Sequence, residues 1–161
     1  MPLSITIICV GKLKERFYAE AADEFLKRLS RYTKVDIAEL PDEKAPETLS
    51  EAAREQVKNA EGKRILSRLK DVDMLIALDM RGKVMSSEGF AQLLDEQMTR
   101  GRSHICFAVG GSLGHSAKVL TRADMVLSFG EMTFSHQLFR IMLLEQIYRA
   151  FRIINGEPYH K

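Results

Sequence analysis

Short apolar runs alternate with longer stretches of helical period along the whole chain. Leu3–Val10 is apolar, rich in β-branched residues and closed by Gly11, which is the pattern of a buried strand. Lys14–Tyr32 instead spaces Phe17, Ala21, Phe25, Leu26 and Leu29 at helical intervals. Val35, Ile37 and Leu40 alternate with Lys34, Asp36 and Glu39, predicting a second strand, and Pro41–Pro46 reads as a charged loop. A polar helix is expected from about Thr48 to Lys70, weakened at Gly62. Met74–Leu78 is the next strand, stopping at Asp79 before a turn over Met80-Arg81-Gly82-Lys83. Ser86-Ser87-Glu88 starts a helix that runs to Arg100, with Gly101 as its stop. Ile105–Val109 is again apolar and leads into Gly110-Gly111. A short helix over His115–Thr121, a strand over Met125–Phe129 and a long helix over Phe134–Ile154 complete the order.

Strands that alternate with helices in this way predict one α/β domain spanning 1–161. Its sheet is mostly parallel, with helices on both faces. The last helix breaks the usual single stripe. Phe134, Leu138, Phe139, Ile141, Met142, Leu143, Leu144, Ile147, Tyr148, Phe151 and Ile154 surround it nearly completely, so it needs cover on more than one side. A second copy of the chain in a two-fold interface is the expected cover for the side that the sheet leaves open.

Composition narrows the class only modestly. A chain of 161 residues, 45% hydrophobic and 29% charged, can bury its own core without a disulfide or metal staple. No apolar run nears the ~20 residues of a membrane span. The opening Met1-Pro2-Leu3-Ser4-Ile5 reads as a first strand, not a signal peptide. Cys9 and Cys106 sit far apart in apolar segments, as buried free thiols of a reducing, cytoplasmic compartment would. The net charge of +2 lacks the strong basic excess of a non-specific nucleic-acid binder. The positive charge that exists collects at the chain ends, in Lys12, Lys14, Arg16, Arg140, Arg149 and Arg152 among others.

Three strand ends carry loops suited to a ligand: Leu78-Asp79-Met80-Arg81-Gly82, Gly110-Gly111-Ser112-Leu113-Gly114, and Phe129-Gly130-Glu131-Met132-Thr133-Phe134. Ligands of open α/β sheets bind beyond the carboxyl ends of the strands, where glycine lets main-chain groups approach closely. Gly11-Lys12-Leu13 is no dinucleotide fingerprint, no phosphate loop is present, and Ser112 does not sit in a hydrolase elbow. His104, His115, His136 and His160 are scattered and the cysteines lack close spacing, so no metal site is expected. At the chain end, Asn155-Gly156 and Pro158 stop the last helix. Tyr159 and His160 then offer a stacking face and a titratable nitrogen, with Arg149 on the helix just before them.

At these residues the sequence resembles the ribosomal RNA large subunit methyltransferase H family, the smallest members of the SPOUT class. The resemblance is full-length. It rests on Ile7-Ile8-Cys9-Val10-Gly11-Lys12-Leu13-Lys14, Pro41-Asp42-Glu43-Lys44-Ala45-Pro46, Ala77-Leu78-Asp79 with Gly82-Lys83, and Gly110-Gly111-Ser112 with Gly114. It continues through Leu127-Ser128-Phe129, Met132-Thr133-Phe134-Ser135-His136-Gln137, Glu145-Gln146 with Tyr148-Arg149-Ala150, and Gly156-Glu157-Pro158-Tyr159-His160-Lys161.

The resemblance implies a deep C-terminal trefoil knot, a homodimer, and S-adenosyl-L-methionine as cofactor. That cofactor would be held by Leu78, Gly110, Phe129, Gly130, Glu131, Met132, Thr133 and Phe134. It also implies methylation at N3 of a pseudouridine in 23S ribosomal RNA, on assembled ribosomes. His160 or Tyr159 would assist removal of the N3 proton, and Arg149 would stabilise charge on the pyrimidine. Two further readings stay open: a ribosome-binding assembly factor with little catalysis, and a flavodoxin-like or Rossmann-like enzyme for another nucleotide.

Overall fold

The computed structural model describes residues 3–43, 48–71 and 73–161. Lys44, Ala45 and Pro46 of the expected charged loop lie outside them. Ten elements follow in strict alternation: β1 (Ser4–Val10), α1 (Arg16–Leu29), β2 (Lys34–Leu40), α2 (Glu51–Ser67), β3 (Met74–Val84), α3 (Ser87–Thr99), β4 (His104–Val109), α4 (Ala117–Arg122), β5 (Met125–Ser128) and α5 (His136–Ile154). The strands form one five-stranded sheet in the order β2-β1-β4-β3-β5, and every pairing is parallel.

Period-two alternation within the strands sorts the core into two layers. Ile5, Ile7 and Cys9 of β1, Met74, Ile76 and Leu78 of β3, and Ile105, Phe107 and Val109 of β4 pack under α1, α3 and α5. The intervening Ile8, Val10, Leu75, Ala77, Cys106 and Ala108 pack with Ile65 of α2 and Val119 of α4 on the opposite face. Both faces are therefore covered, as a parallel sheet requires. Among the described residues no helix is long and apolar enough to cross a membrane.

Serine sets most of the helix starts. Ser50, Ser86, Ser116 and Ser135 each stand in extended backbone, and each hydroxyl accepts the N–H three residues on, from Ala53, Gly89, Val119 and Leu138. Such a cap is worth about 1 kcal/mol. It explains why α5 begins at His136 and not at Phe134, as its apolar pattern alone predicts.

Three other expectations change for stated reasons. The helix through Gly62 is unbroken, because the missing side chain is what lets α2 lie against α4: a Cβ there would collide with the Ser116 hydroxyl and meet Val119 at 3.1 Å. The turn expected over Met80–Lys83 is an irregularity inside β3. Leu127 of β5 faces Leu78 and then Lys83, and pairing resumes through Val84. A Cβ on Gly82 would sit 2.6 Å from the Val126 backbone, so only glycine permits that crossing. Finally, α1 and α3 flank α5 and cover much of its circumference. Phe139, Ile141, Tyr148, Ile153 and Ile154 are partly buried against the core, while Leu138 stays 38% exposed.

The charge distribution also changes meaning. Arg140, counted among the basic residues of the chain end, is only 1% exposed. Its guanidinium donates to Glu39 Oε2 at 2.6 Å and to the Gly11 carbonyl at 2.9 Å, pinning α5 to the ends of β1 and β2. It belongs to the core, not to an RNA-facing surface.

Candidate cofactor cavity and tail cluster

β3 is flanked by β4 on one side and β5 on the other, so the chain reverses direction across the sheet around it. Such switch points open a crevice beyond the strand ends. Here the crevice is a cavity of about 720 Å³, lined by all three loops singled out in the sequence. Leu78, Gly110, Phe129, Gly130, Met132, Thr133 and Phe134 all face it. Glu131 does not; it is exposed beside them.

Each loop is shaped locally. Asp79 accepts from the Arg81 backbone N–H and from its guanidinium, all between 2.9 and 3.0 Å, which folds the irregular stretch of β3 back on itself. Burial pushes the Asp79 pKa up, but those bonds outweigh it and hold the carboxyl below its ordinary range. The Gly114 N–H donates to the Gly111 carbonyl at 3.1 Å, closing the second loop tightly. In the third, the Ser128 hydroxyl accepts from the Gly130 N–H at 3.1 Å and donates to the Gly130 carbonyl at 3.0 Å. Phe129 is held by Phe139, their centroids 4.6 Å apart.

Lys58 and His136, which stand outside the three loops expected to hold a ligand, add to this wall. Lys58 of α2 and Arg81 bring cationic groups to the cavity, and His136 lines it beside Ser135. Burial lowers the His136 pKa, and the nearby Arg140 charge adds to the effect. Glu61, 4% exposed, accepts the Glu43 N–H at 3.0 Å, and burial raises its pKa. Its Oε1 lies 2.9 Å from where a Gly111 Cβ would be, so the carboxylate backs the glycine loop. His115, 3% exposed, places Nε2 3.0 Å from the Ala108 carbonyl at the end of β4. Its Nδ1 has no hydrogen-bond partner among the described residues, and burial lowers its pKa although the bond to the Ala108 carbonyl opposes that.

The expected catalytic residues gather in a second place. None of Arg149, Tyr159 and His160 is among the described residues that line the cavity. They form their own cluster on α5 and the tail. Arg149 donates to Glu145, with Nε 3.0 Å from Oε1, and its guanidinium lies 4.8 Å from the Tyr159 ring centre. The Tyr159 hydroxyl donates to Glu145 Oε1 at 3.1 Å, and burial, reinforced by Glu145, raises its pKa. Tyr159 is thus present as a phenol that donates, which removes it as a base near neutrality. His160 Nδ1 lies 3.1 Å from Arg149 Nη1, and Nε2 lies 2.5 Å from Glu88 Oε1. Arginine can only donate, so Nδ1 accepts and Nε2 carries the proton toward Glu88.

The tail is docked from Glu157 to His160. Gly156, at φ +64°, turns the chain out of α5 in a conformation that other residues rarely adopt. Arg152 then donates to Glu157 and to the Pro158 carbonyl, both at 2.8 Å, while the Tyr32 hydroxyl donates to Glu157 at 2.7 Å. A second cavity of about 260 Å³, lined by Phe25, Phe129, Ile141, Met142, Glu145 and Gln146, lies between the two clusters, sharing Phe129 with one and Glu145 with the other.

Residues 3–160 match the family model described as "Predicted SPOUT methyltransferase". The chain belongs to the SPOUT methyltransferase family. Within it, the chain is 54% identical over 159 residues to the Ribosomal RNA large subunit methyltransferase H 1 of Clostridium perfringens (strain SM101 / Type A), covering 99% of this chain and 100% of the relative. It is 55% identical, with the same coverage, to the Ribosomal RNA large subunit methyltransferase H of Clostridium botulinum (strain Eklund 17B / Type B). This SPOUT chain is therefore a member of the methyltransferase H family, over its full length.

Proposed function

We propose that the chain transfers the methyl group of S-adenosyl-L-methionine to N3 of a pseudouridine in 23S ribosomal RNA, on assembled ribosomes. One observation carries this reading: three loops from separate parts of the sequence converge on one cavity at a sheet switch point. The relatives' name supplies the substrate class.

The residues present fit such a cofactor. About 720 Å³ lies within the usual range of roughly 300–1,000 Å³ for small-molecule sites. Gly110 keeps the cavity loop tightly folded, since a Cβ there would press on Gly114 at 3.1 Å and His115 at 3.3 Å. Main-chain groups of the Leu78, Gly110 and Phe129 loops suit an adenine edge and ribose, and Lys58 and Arg81 suit the carboxylate of the amino-acid end. When bound, the cofactor supplies an electrophilic methyl group and a leaving group that needs no acid. The chain must then align N3 and accept its proton.

His160 takes that role in our reading. Glu88 holds the Nε2 proton and fixes the ring, leaving Nδ1 as the basic nitrogen, covered by Arg149 in the free chain. When the pyrimidine enters, Arg149 turns its donors to a base oxygen and uncovers Nδ1 to accept the N3 proton. Tyr159, held by Glu145, supports one face of the guanidinium, 4.8 Å from its ring centre, as those donors turn.

We further infer that the C-terminal part of the sheet is a deep trefoil knot and that the working unit is a homodimer. The exposed Leu138 and the strip through Ile141, Met142 and Phe25 support a second copy on α5. Because the tail cluster does not line its own chain's cavity, that pairing gives each tail a role in its partner's site.

Incubation with ribosomes that lack the modification, followed by nucleoside mass spectrometry, tests the reading. N3-methylpseudouridine is expected, and labelled ribosomes without it, or binding without label, would overturn it. Calorimetry with S-adenosylhomocysteine against NAD, FMN and ATP tests the cavity separately: only the first is expected to bind.

A further inference from the structure

The end of the sheet opposite the cavity holds a second set of chemically capable side chains that methyl transfer does not use. His104 and Cys106 are two apart in β4, so alternation puts both on one sheet face. Asp73 directly precedes β3, whose first residue Met74 faces Ile105 between them. One donor atom from each of the three converges. His104 Nδ1 is 2.9 Å from Asp73 Oδ1, and Cys106 Sγ is 3.8 Å from that nitrogen and 3.9 Å from Asp73 Oδ2. All lie within 4.8 Å of one another. Separation along the chain hides this group, which is why the histidines and cysteines look scattered in the sequence.

Imidazole nitrogen, thiolate and carboxylate are the donors that Zn²⁺ takes, at about 2.0–2.3 Å. Bonds of that length in a tetrahedron set donor atoms roughly 3.3–3.8 Å apart. The Cys106–His104 edge of 3.8 Å already matches, the Cys106–Asp73 Oδ2 edge of 3.9 Å is just outside, and the His104–Asp73 Oδ1 edge of 2.9 Å needs to open by about half an ångström. The surroundings are those of a supported site. Thr6, which faces Cys106 across the β1–β4 ladder, places Oγ1 2.8 Å from His104 Nε2, so the ring's outer nitrogen is oriented. The Lys70 N–H donates to Asp73 Oδ2 at 2.9 Å, and Arg122 donates to the carbonyls of Lys70 and Asp73, fixing the turn. Asp73 and Cys106 are buried, while the His104 side chain is 31% exposed, giving an ion an entrance and a water the fourth position.

We propose that Asp73, His104 and Cys106 bind a zinc-class divalent cation that clasps the start of β3 to β4. On binding, Cys106 releases its thiol proton to solvent, and the imidazole carries its proton on Nε2 toward Thr6, leaving Nδ1 for the metal. No electron is transferred. The full chain, stripped with chelator and dialysed, should take up one equivalent of Co²⁺. The spectrum should show tetrahedral visible bands and a thiolate-to-metal charge-transfer band in the near ultraviolet, and one equivalent of Zn²⁺ should displace it. Cys106→Ala should abolish the charge-transfer band, whereas Cys9→Ala, at the other thiol on the opposite sheet face, should retain it. Should Cys106→Ala not fold, the unsubstituted chain still decides, since Zn²⁺ must raise its melting temperature. An octahedral Co²⁺ spectrum without the thiolate band, survival of that band in Cys106→Ala, or an unchanged melting temperature would overturn the proposal.

Discussion

His115 shows how a single buried group links stability to pH. Burial lowers its pKa, so the folded chain resists a proton that the unfolded chain accepts near the ordinary value of about 6.5. Its contribution to stability is therefore complete above about pH 6.5 and declines as pH falls toward the folded value. His136 acts in the same direction. The urea midpoint should drop between roughly pH 7.5 and pH 5.5, and the drop should shrink in His115→Gln and shrink further with His136→Gln added. An unchanged slope in the double variant would show that neither histidine is responsible. That Gly110 and Phe129 line one cavity is legible, because each stands at a glycine-marked strand end after an apolar run. Glu61 behind Gly111, and Asp73 beside His104, are not, since each partner is brought up from a distant segment by the sheet.

Elements were legible wherever one period ran cleanly, and misread where a neighbour set the rule. The strands and helices stand close to where alternation and helical spacing put them. The stretch Asp79–Gly82 reads as a turn because charge and glycine interrupt an apolar run, yet its true constraint is the backbone of β5, far along the chain. Gly82→Ala should accordingly destabilise by about 1–3 kcal/mol, measured by chemical unfolding, although alanine has the higher strand and helix propensity. Equal stability would mean that β3 and β5 can separate freely. The tail behaves as an element too. Arg152→Ala removes its bonds to Glu157 and Pro158, and should speed amide exchange over residues 156–161. Methylation should fall with it, while S-adenosylhomocysteine affinity stays the same. A loss of cofactor affinity would tie the tail to the wrong cavity.

In the whole molecule, the proposed reaction needs two clusters that one chain keeps apart: the cavity at the strand ends, for the methyl donor, and the group on α5 and the tail, for the base. His160→Ala should lower single-turnover methylation of saturated ribosomes at least tenfold with cofactor binding intact, as loss of a general base does. An unchanged rate would remove His160 from the reaction. The most direct test joins the clusters across two chains. A variant that distorts the cavity loop, Gly110→Val, and a chain lacking Tyr159–Lys161 should each be inactive alone. Co-expressed in equal amounts, half the dimers should be mixed, each with one intact composite site, restoring about a quarter of the native activity. No recovery from a verified mixed dimer would contradict a site shared between subunits.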